Sequence, residues 1–265
     1  MTPGLIITVG ELAVTPVKGT RLQHPESVEI TEHGARDDRR FLVVARTGRL
    51  YDAGLGPLTA VQSDWTPDSG LLTLKFPDGR VESDYVTRGP SVTARVTWDA
   101  GRLLGGHEAS DRLSEALCEY LGKEVVLVET AEPGSGIDDA AVTIVSDASV
   151  RSLAQSMGVE FDGRRFRMTL TITGAAPFEE EEWKGRLIEV GGCRLRVGRS
   201  VPRCVAVTHD PITGERDHPV LRQIAARPHS VGPDVVPVKA PFGVYASVER
   251  AGMVAIGQRV QVKSG

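Results

Sequence analysis

The chain has 265 residues, of which 40% are hydrophobic and 25% charged, a composition that excludes disorder and collagen-like repetition. Its 31 basic and 35 acidic residues leave a net charge of −4, which argues against a surface built to hold nucleic acid. No apolar run reaches the roughly 20 residues of a membrane span, and residues 1–10 lack a secretory signal, so we expect a cytoplasmic protein.

The first hundred residues indicate an antiparallel β-rich unit. Short apolar stretches rich in β-branched residues alternate with turn formers, which is typical of a barrel or a sandwich rather than of βαβ units. Strands are predicted at residues 6–9, 27–30, 41–44 and 71–74. The pattern changes near residue 98, where we place the boundary between an N-terminal domain, 1–98, and a second domain, 99–265.

The second domain mixes strands with a few helices. Ser110 is a helix cap, Leu113, Leu117 and Leu121 form one apolar face, and Gly122 ends a helix over 111–121. Further helices are predicted at 148–157 and 219–226. The strands are predicted at 125–128, 141–145, 166–172, 186–190, 193–197, 205–208, 244–248 and 260–262. The fold class is therefore α+β, dominated by strands.

Three cysteines cannot form a disulfide framework, and no C-x-x-C pair indicates a zinc or iron–sulfur site. Cys118 lies beside the apolar helix face and Cys193 in a predicted strand, so both are interpreted as structural. Cys204 follows Arg203, and a nearby cation lowers the pKa of a thiol and favours a thiolate nucleophile or metal ligand. We expect it at the mouth of a strand; a buried structural role is the alternative.

Cations gather at three other places in the sequence. Arg164, Arg165 and Arg167 fall on a predicted strand, which would send their guanidinium groups to alternate faces. Guanidinium groups bind phosphate or carboxylate through two parallel hydrogen bonds, although a solvated charge run explains the same residues. Lys18, followed by Gly19, and Arg39 supply two more positive charges.

The order of these segments is specific although no single one is. Together with the segments 242–245 and 252–260 near the end of the chain, they resemble the MOSC family. Within that family, the chain looks more like the two-part members with an N-terminal MOSC β-barrel domain, similar to the mitochondrial amidoxime-reducing component and its bacterial relatives. The segments are Pro-Val-Lys-Gly at 16–19, Asp-Arg-Arg-Phe-Leu-Val-Val at 38–44, Arg-Phe-Arg at 165–167, Pro-Arg-Cys-Val at 202–205 and Asp-Pro-Ile-Thr-Gly-Glu at 210–215.

The resemblance implies an N-terminal antiparallel β-barrel-like domain, a mixed β-barrel MOSC domain with a few short helices, and a molybdenum cofactor of the molybdopterin type. It makes Cys204 the molybdenum ligand. The residues it implies for holding the pterin and its phosphate are Lys18, Gly19, Arg39, Ser146, Arg167, Thr169, Ser200 and Arg203. Ser146 and Ser200 have a second interpretation as cap and turn residues.

Three positions depart from the pattern of relatives. Thr169 stands where many relatives have an asparagine that contacts the cofactor, His209 stands where they often have a valine, and Gly19 follows Lys18 where a serine is frequent. An imidazole five residues after the thiolate is a candidate proton donor, but a solvent-facing histidine at the end of a strand is the preferred interpretation. Asp210 is the second candidate proton donor.

These features predict a molybdenum-dependent reductase of N-hydroxylated or N-oxide-like small molecules. Because the chain has no cluster-binding cysteines, its electrons are expected from a separate donor, a ferredoxin, a flavodoxin or a reductase. Two alternatives stay open at this point. One is a sulfur carrier with a persulfide on Cys204, and the other is an enzyme of a specialised pathway that does not use molybdenum.

Overall fold

A computed structural model describes residues 6–52, 54–96, 101–227 and 239–263. Within these ranges the chain forms 18 strands, 4 α-helices and 3 short 3₁₀ helices. None of these helices combines the length and apolar character that a membrane span requires. The strands are β1 Thr8–Leu12, β2 Ser27–Thr31, β3 Gly34–Ala35, β4 Phe41–Ala45, β5 Leu50–Tyr51, β6 Gln62–Thr66, β7 Leu71–Lys75, β8 Val81–Tyr85, β9 Ser91–Arg95, β10 Leu103–Glu108, β11 Val125–Thr130, β12 Val142–Ser146, β13 Leu170–Thr173, β14 Leu187–Val190, β15 Cys193–Pro202, β16 Pro241–Arg250, β17 Gly252–Ala255 and β18 Val260–Val262. The helices are α1 Gly56–Ala60, α2 Asp111–Leu121, α3 Asp147–Met157 and α4 Val220–Ala226.

Seven strands form a nearly closed barrel sheet in the order β1-β13-β12-β16-β15-β14-β18. Its neighbours are antiparallel except for the parallel pair β12 and β13. The two edges meet where Thr8 bridges to Arg259 and the Val260 amide donates to the Ile7 carbonyl at 2.8 Å. Alternate residues of the strands point inward and bury an apolar core that includes Leu12 and Trp183.

A second core lies between a five-stranded sheet, β5-β4-β11-β10-β9, and a three-stranded sheet, β6-β7-β8. Helix α2 contributes Leu113 and Leu117 to it, opposite Phe41 and Leu72. The predicted caps of α2 are confirmed, because Ser110 Oγ accepts the Leu113 amide at 3.1 Å and Gly122 is left-handed with φ 60°. The strand-dominated α+β class is confirmed as well.

Strand pairing crosses the predicted domain boundary, whose residues 98 and 99 lie outside the described ranges. Strand β11 pairs with β4, and β10 pairs with β9, so the segment 103–130 joins strands that precede the boundary. At the other end of the molecule, β1 pairs with β13 and β2 with β17. The division at residue 98 stays a prediction.

Two predicted strands are wrong beside the candidate site residues Arg167 and Cys204. Residues Gly163–Phe166 and Val205–Thr208 are 3₁₀ helices, which we call the first and second 3₁₀ helix of the site; the remaining 3₁₀ helix is Glu179–Trp183. The first is capped by Asp162 and followed by Arg167 in a left-handed conformation with φ 53°, which stops an extended chain until β13 begins. In the second, the apolar β-branched run turns back on itself, and Thr208 Oγ1 donates to the Val205 carbonyl at 2.6 Å.

Candidate functional site

Six of the predicted site residues line one pocket with a cavity volume of about 90 Å³. Its walls come from the 18–19 turn, from residues 39 and 52, from the 137–143 segment, and from the two 3₁₀ helices with the residues that flank them. Beneath it lies an apolar cluster that includes Phe166, Val207 and Phe242. The six residues are Lys18, Gly19, Arg39, Arg167, Arg203 and Cys204.

A cluster of buried hydroxyl groups fixes the Lys18 turn. Thr20 Oγ1 donates to the Val17 carbonyl at 2.7 Å and lies 2.8 Å from Ser63 Oγ. Gly19 has φ 93°, which permits the reversal that an L side chain resists. The Lys18 amide donates to the Phe41 carbonyl at 2.8 Å, so the backbone of the turn is held and its buried side chain extends toward the pocket.

Lys18 pairs with Asp138, an acid that belongs to none of the sequence motifs. Lys18 Nζ donates to Asp138 Oδ1 at 2.5 Å and to the Gly136 carbonyl at 2.7 Å. Burial lowers the pKa of Lys18, and Asp138 opposes that shift. Burial would raise the pKa of Asp138, but Lys18 and Arg39 outweigh it and hold that pKa at about 2. The carboxylate is therefore ionised at neutral pH.

Gly136 lets the 135–138 loop approach Arg39 closely, because a Cβ on Gly136 would lie 2.0 Å from the Arg39 carbonyl oxygen. We expect Gly136→Ala to lower the free energy of unfolding by about 1–3 kcal/mol, since the loop must shift to relieve the overlap. Urea unfolding measures the effect, with Gly105→Ala as the control. A Cβ on Gly105 meets only the Ala131 methyl at 4.0 Å. Equal stability of the two variants would contradict the prediction.

Arg39 and Arg167 are neighbours in the lining of the pocket. Both are half-buried and have positive φ values, of 55° and 53° respectively. Non-glycine residues adopt this conformation at a cost in free energy, and such residues cluster at functional sites. Arg39 Nη2 donates to the Arg167 carbonyl at 3.4 Å, and Arg167 Nη2 to the Thr20 carbonyl at 2.7 Å. Burial, with the charge of Arg39, lowers the pKa of Arg167 to about 10. The pocket thus holds positive charge that its own acids neutralise incompletely.

Arg203 braces the segment that carries Cys204. Its Nε donates to the Phe242 carbonyl and its Nη1 to the Phe166 carbonyl, both at 3.0 Å. The guanidinium carbon lies 5.6 Å from the centre of the Phe166 ring. Burial lowers the pKa of Arg203 to about 10. These contacts connect the end of β15 to the first 3₁₀ helix, so Arg203 positions its neighbour.

Cys204 is exposed and begins the second 3₁₀ helix, just after β15 ends at Pro202. The expectation of a lowered thiol pKa is wrong for this arrangement. Desolvation by the pocket walls raises the pKa of Cys204, and Asp52 and Asp138 act in the same direction. The Ala206 amide and Arg203 favour the thiolate but do not offset these effects. The sequence places Arg203 next to Cys204 but does not indicate that Asp52 and Asp138 lie near the thiol.

Ser146, Thr169 and Ser200 do not line the pocket. Ser146 caps α3 by accepting the Ala148 amide at 3.1 Å. Thr169 Oγ1 lies 3.2 Å from the hydroxyl of Thr143, which does line it. Ser200 is buried in β15 opposite Val244 of β16. The cap interpretation of Ser146 is thus confirmed, and the cofactor contacts of all three stay predictions.

His209 and Asp210 also lie outside the pocket lining. The interpretation of His209 as solvent-facing is wrong: only 5% of the residue is exposed, and Arg216 Nε donates to its Nε2 at 3.3 Å. Asp210 Oδ1 accepts the amides of Ile212 and Thr213 at 2.9 and 2.8 Å, which fixes the turn that follows. Their proton-donor roles stay predictions.

The three arginines at 164–167 have three different environments. Arg164 pairs at the surface with Asp162. The Arg165 side chain is completely buried and binds both carboxylate oxygens of Asp217, at 2.8 and 2.7 Å. Arg167 faces the pocket. The expectation that one strand presents them on alternate faces is wrong, because the segment is helical.

Besides Asp138, the pocket contains Asp52 and Tyr245, which the motifs did not indicate as functional. Burial raises the pKa of Tyr245 to about 12, so its phenol keeps its proton at neutral pH. The only sequence signal for Tyr245 is its place at the end of the 242–245 segment. Among the residues that the structure describes, no three His, Cys, Asp or Glu side chains converge as a metal site.

Comparisons with known proteins agree with this architecture. Residues 131–261 match the family model described as the MOSC domain, and residues 6–124 match that of the MOSC N-terminal beta barrel domain. The mitochondrial amidoxime reducing component 2 of Rattus norvegicus is 30% identical over 285 residues, which cover 96% of this chain and 82% of that protein. The Homo sapiens protein of the same name is 29% identical with the same coverage.

A third relative has a different name and a longer chain. The molybdenum cofactor sulfurase of Drosophila grimshawi is 27% identical over 255 residues, which cover 89% of this chain and 31% of that protein. One family model matches the region before residue 130 and the other matches the region after it. The three relatives align with 89% or 96% of the chain. The chain therefore belongs to the MOSC family, in the two-part form that carries an N-terminal β-barrel domain.

Proposed function

We propose that the pocket binds a molybdenum cofactor, with Cys204 as the metal ligand, and that the protein reduces N-hydroxylated or N-oxide-like small molecules. The observation that carries the proposal is the exposed Cys204 thiol in a pocket that also contains Lys18, Arg39 and Arg167. The names of the relatives, amidoxime reducing component and molybdenum cofactor sulfurase, support molybdenum-related chemistry.

The residues present suit such a group by charge and by donor type. A thiolate is a soft donor for a thiophilic metal, and guanidinium groups bind phosphate bidentately. Burial is the main cause of the lowered pKa of Arg167, and the neighbouring charge of Arg39 adds to it; a bound anion would stabilise both guanidinium groups. An incoming phosphate would replace the Asp138 carboxylate on Lys18.

The roles of the protein groups follow from their positions. Lys18, Arg39 and Arg167 would hold the phosphate, Arg203 would keep Cys204 in place, and the Tyr245 phenol could donate a hydrogen bond to substrate oxygen. When bound, the cofactor supplies two-electron oxygen-removal chemistry. Ser146, Thr169 and Ser200 would contact only a ligand that extends beyond the present lining. We further propose a separate electron donor, a ferredoxin, flavodoxin or reductase, and a cytoplasmic location.

Molybdenum analysis of protein from a cofactor-producing host tests the proposal. We expect near-stoichiometric metal in the wild type and its loss in Cys204→Ser, because serine is a poor ligand for a soft metal. Cys118→Ser is the matched control, since Cys118 does not line the pocket, packs against the second core and has its Sγ 3.2 Å from the Val125 backbone. With metal bound, reduction of an amidoxime by a chemical electron donor should also disappear in Cys204→Ser alone.

The absence of metal from the wild type would contradict this proposal and favour the persulfide alternative. The exposure of Cys204 is the observation that keeps that alternative open. Cyanide treatment would then release thiocyanate from the wild type and not from Cys204→Ser. If neither metal nor persulfide is present, the third alternative, an enzyme of a specialised pathway without molybdenum, would be favoured.

A further inference from the structure

We propose that Asp38 is a positioning residue of the anion site: its carboxylate ties the Lys18 turn to Arg39, so that these two cations face one bound phosphate. The inference rests on the proposed phosphate site. Asp38 itself does not line the Cys204 pocket. It is the first residue of the Asp-Arg-Arg segment at 38–40, in which the proposed function gives a role to Arg39 alone.

Asp38 and Arg39 are neighbours in the chain that line different cavities. Arg39 lines the pocket that contains Cys204, whereas Asp38 lines a separate cleft of about 820 Å³. Asp37 and Arg39, on either side of Asp38, have positive φ values of 59° and 55°, and the Asp38 amide donates to the Ala35 carbonyl at 3.1 Å. Only 6% of Asp38 is exposed. This sharp turn therefore places a buried carboxylate behind Arg39, outside the pocket.

Two hydrogen bonds hold Thr15 against Asp38 and Arg39. The Thr15 amide donates to Asp38 Oδ1 at 2.8 Å, and its carbonyl accepts the Arg39 amide at 2.7 Å. Thr15 Oγ1 lies 2.7 Å from Thr20 Oγ1, within the hydroxyl cluster that fixes the Lys18 turn. Because Thr15 is completely buried, removing the Asp38 carboxylate would leave its amide without an acceptor, and the segment would shift to find one. Asp38 therefore sets the distance between the Lys18 turn and Arg39.

Asp38 also supplies negative charge behind two arginines of the pocket. Its Oδ2 lies 3.8 Å from Arg39 Nε. Burial alone would lower the pKa of Arg39, but the charge of Asp38, with smaller effects of other acids, raises it. Burial and the charge of Arg39 lower the pKa of Arg167, and Asp38 is the acid that opposes this shift most. The two guanidinium groups therefore stay charged beside each other before an anion arrives.

The two contributions of Asp38 act on anion binding with opposite signs. The hydrogen bond to Thr15 favours binding, because the spacing of Lys18 and Arg39 is then set before the anion arrives. The negative charge weakens binding, because it attracts the same guanidinium groups that the anion contacts. Asparagine at this position separates the two contributions, since its side-chain oxygen accepts a hydrogen bond but carries no charge.

The test measures binding of inorganic phosphate by calorimetry at low salt, on the full-length protein from a host that does not make the molybdenum cofactor. We expect Asp38→Ala to bind phosphate about tenfold more weakly than Asp38→Asn, because both lack the charge and only asparagine accepts the Thr15 amide. Asp38→Asn should bind at least as tightly as the wild type. Urea unfolding shows which variants are folded, and Asp38→Leu, of similar shape and without an acceptor, replaces an unfolded Asp38→Ala.

Asp64→Ala and Asp64→Asn are the matched control pair. The Asp64 side chain is 48% exposed, pairs with Lys75 and does not line the pocket, so these two variants should bind phosphate equally. Equal affinities of Asp38→Ala and Asp38→Asn, weaker binding by Asp38→Asn than by the wild type, or the same difference within the control pair would overturn the inference, as would a wild type that binds no phosphate. Molybdenum content decides the proposed function separately, because phosphate binding is measured without the cofactor.

Discussion

Replacing Asp217 with alanine is expected to lower the free energy of unfolding by about 3 kcal/mol, because it leaves the buried Arg165 guanidinium without its carboxylate. The Arg165 side chain is 0% exposed, whereas that of Asp217 is 28% exposed. Water can therefore approach the guanidinium from the vacated side. For this reason the expected loss of stability is at the lower end of the range for a broken buried ion pair. Arg165 keeps its hydrogen bonds to the carbonyls of Asp162 and Val207.

Urea unfolding at neutral pH measures this loss. Arg151→Ala is the control, because Arg151 is 63% exposed and pairs with Asp147 one helical turn away, an interaction that typically contributes under about 0.5 kcal/mol. Adding Arg165→Met to Asp217→Ala should recover part of the stability, since the double variant buries no unpaired charge. A loss as small as that of Arg151→Ala would contradict the prediction.

The same ion pair bears on the geometry of the site. Arg165 belongs to the first 3₁₀ helix and donates to the carbonyl of Val207 in the second at 3.2 Å. Arg167 follows the first of these helices and Cys204 precedes the second. We therefore expect Asp217→Ala to weaken anion binding at the pocket as well, even though Asp217 does not line it.

Glu180→Gln is expected to change the pH dependence of stability. The free energy of unfolding of the variant minus that of the wild type should be about 3 kcal/mol larger at pH 8 than at pH 4.5. Glu180 is completely buried, and burial raises its pKa to about 7 despite a hydrogen bond from Ser149 Oγ at 2.9 Å. Because the folded-state pKa lies above that of the unfolded chain, Glu180 makes its full contribution to stability below about pH 4.5. That contribution is lost as the pH rises through about 7.

Glutamine stays neutral and can still accept the Ser149 hydrogen bond, so the variant should lose this part of the pH dependence. Denaturant unfolding at a series of pH values from 4.5 to 8 measures the difference. Glu182→Gln, an exposed position on the same 3₁₀ helix, is the control and should follow the wild-type profile. A variant profile parallel to that of the wild type would show that Glu180 does not titrate in this range.

Helices α2, α3 and α4 could be predicted because their signals are local, whereas the short helix α1 was not predicted. Ser110 and Gly122 mark the ends of α2, and the apolar face between them matches the side that the structure buries. The 3₁₀ helices beside Cys204 and Arg167 could not, since β-branched runs favour strands and only tertiary contacts reverse that preference. Arg165 illustrates the limit: nothing local distinguishes its complete burial from the surface position of Arg164.

The candidate site was only partly predictable for a related reason. The order of motifs brought Lys18, Arg39, Arg167, Arg203 and Cys204 together, although each was weak alone. Asp52 and Asp138 belong to no motif, and their proximity to the thiol depends on how distant segments pack. Desolvation by the pocket walls, with a smaller effect of these two acids, reverses the expected direction of the pKa shift of Cys204, which an adjacent arginine alone would lower.

The closure of the seven-stranded sheet has a consequence for how the chain folds during synthesis. Strand β1 pairs with β13, and its other edge meets residues 257–260, so both partners of this strand lie far along the chain from it. Contacts of such large sequence separation carry a high loop-closure cost and form slowly. We expect β1 to remain unpaired until both partner segments have been synthesised, with its apolar residues available to chaperones in the meantime.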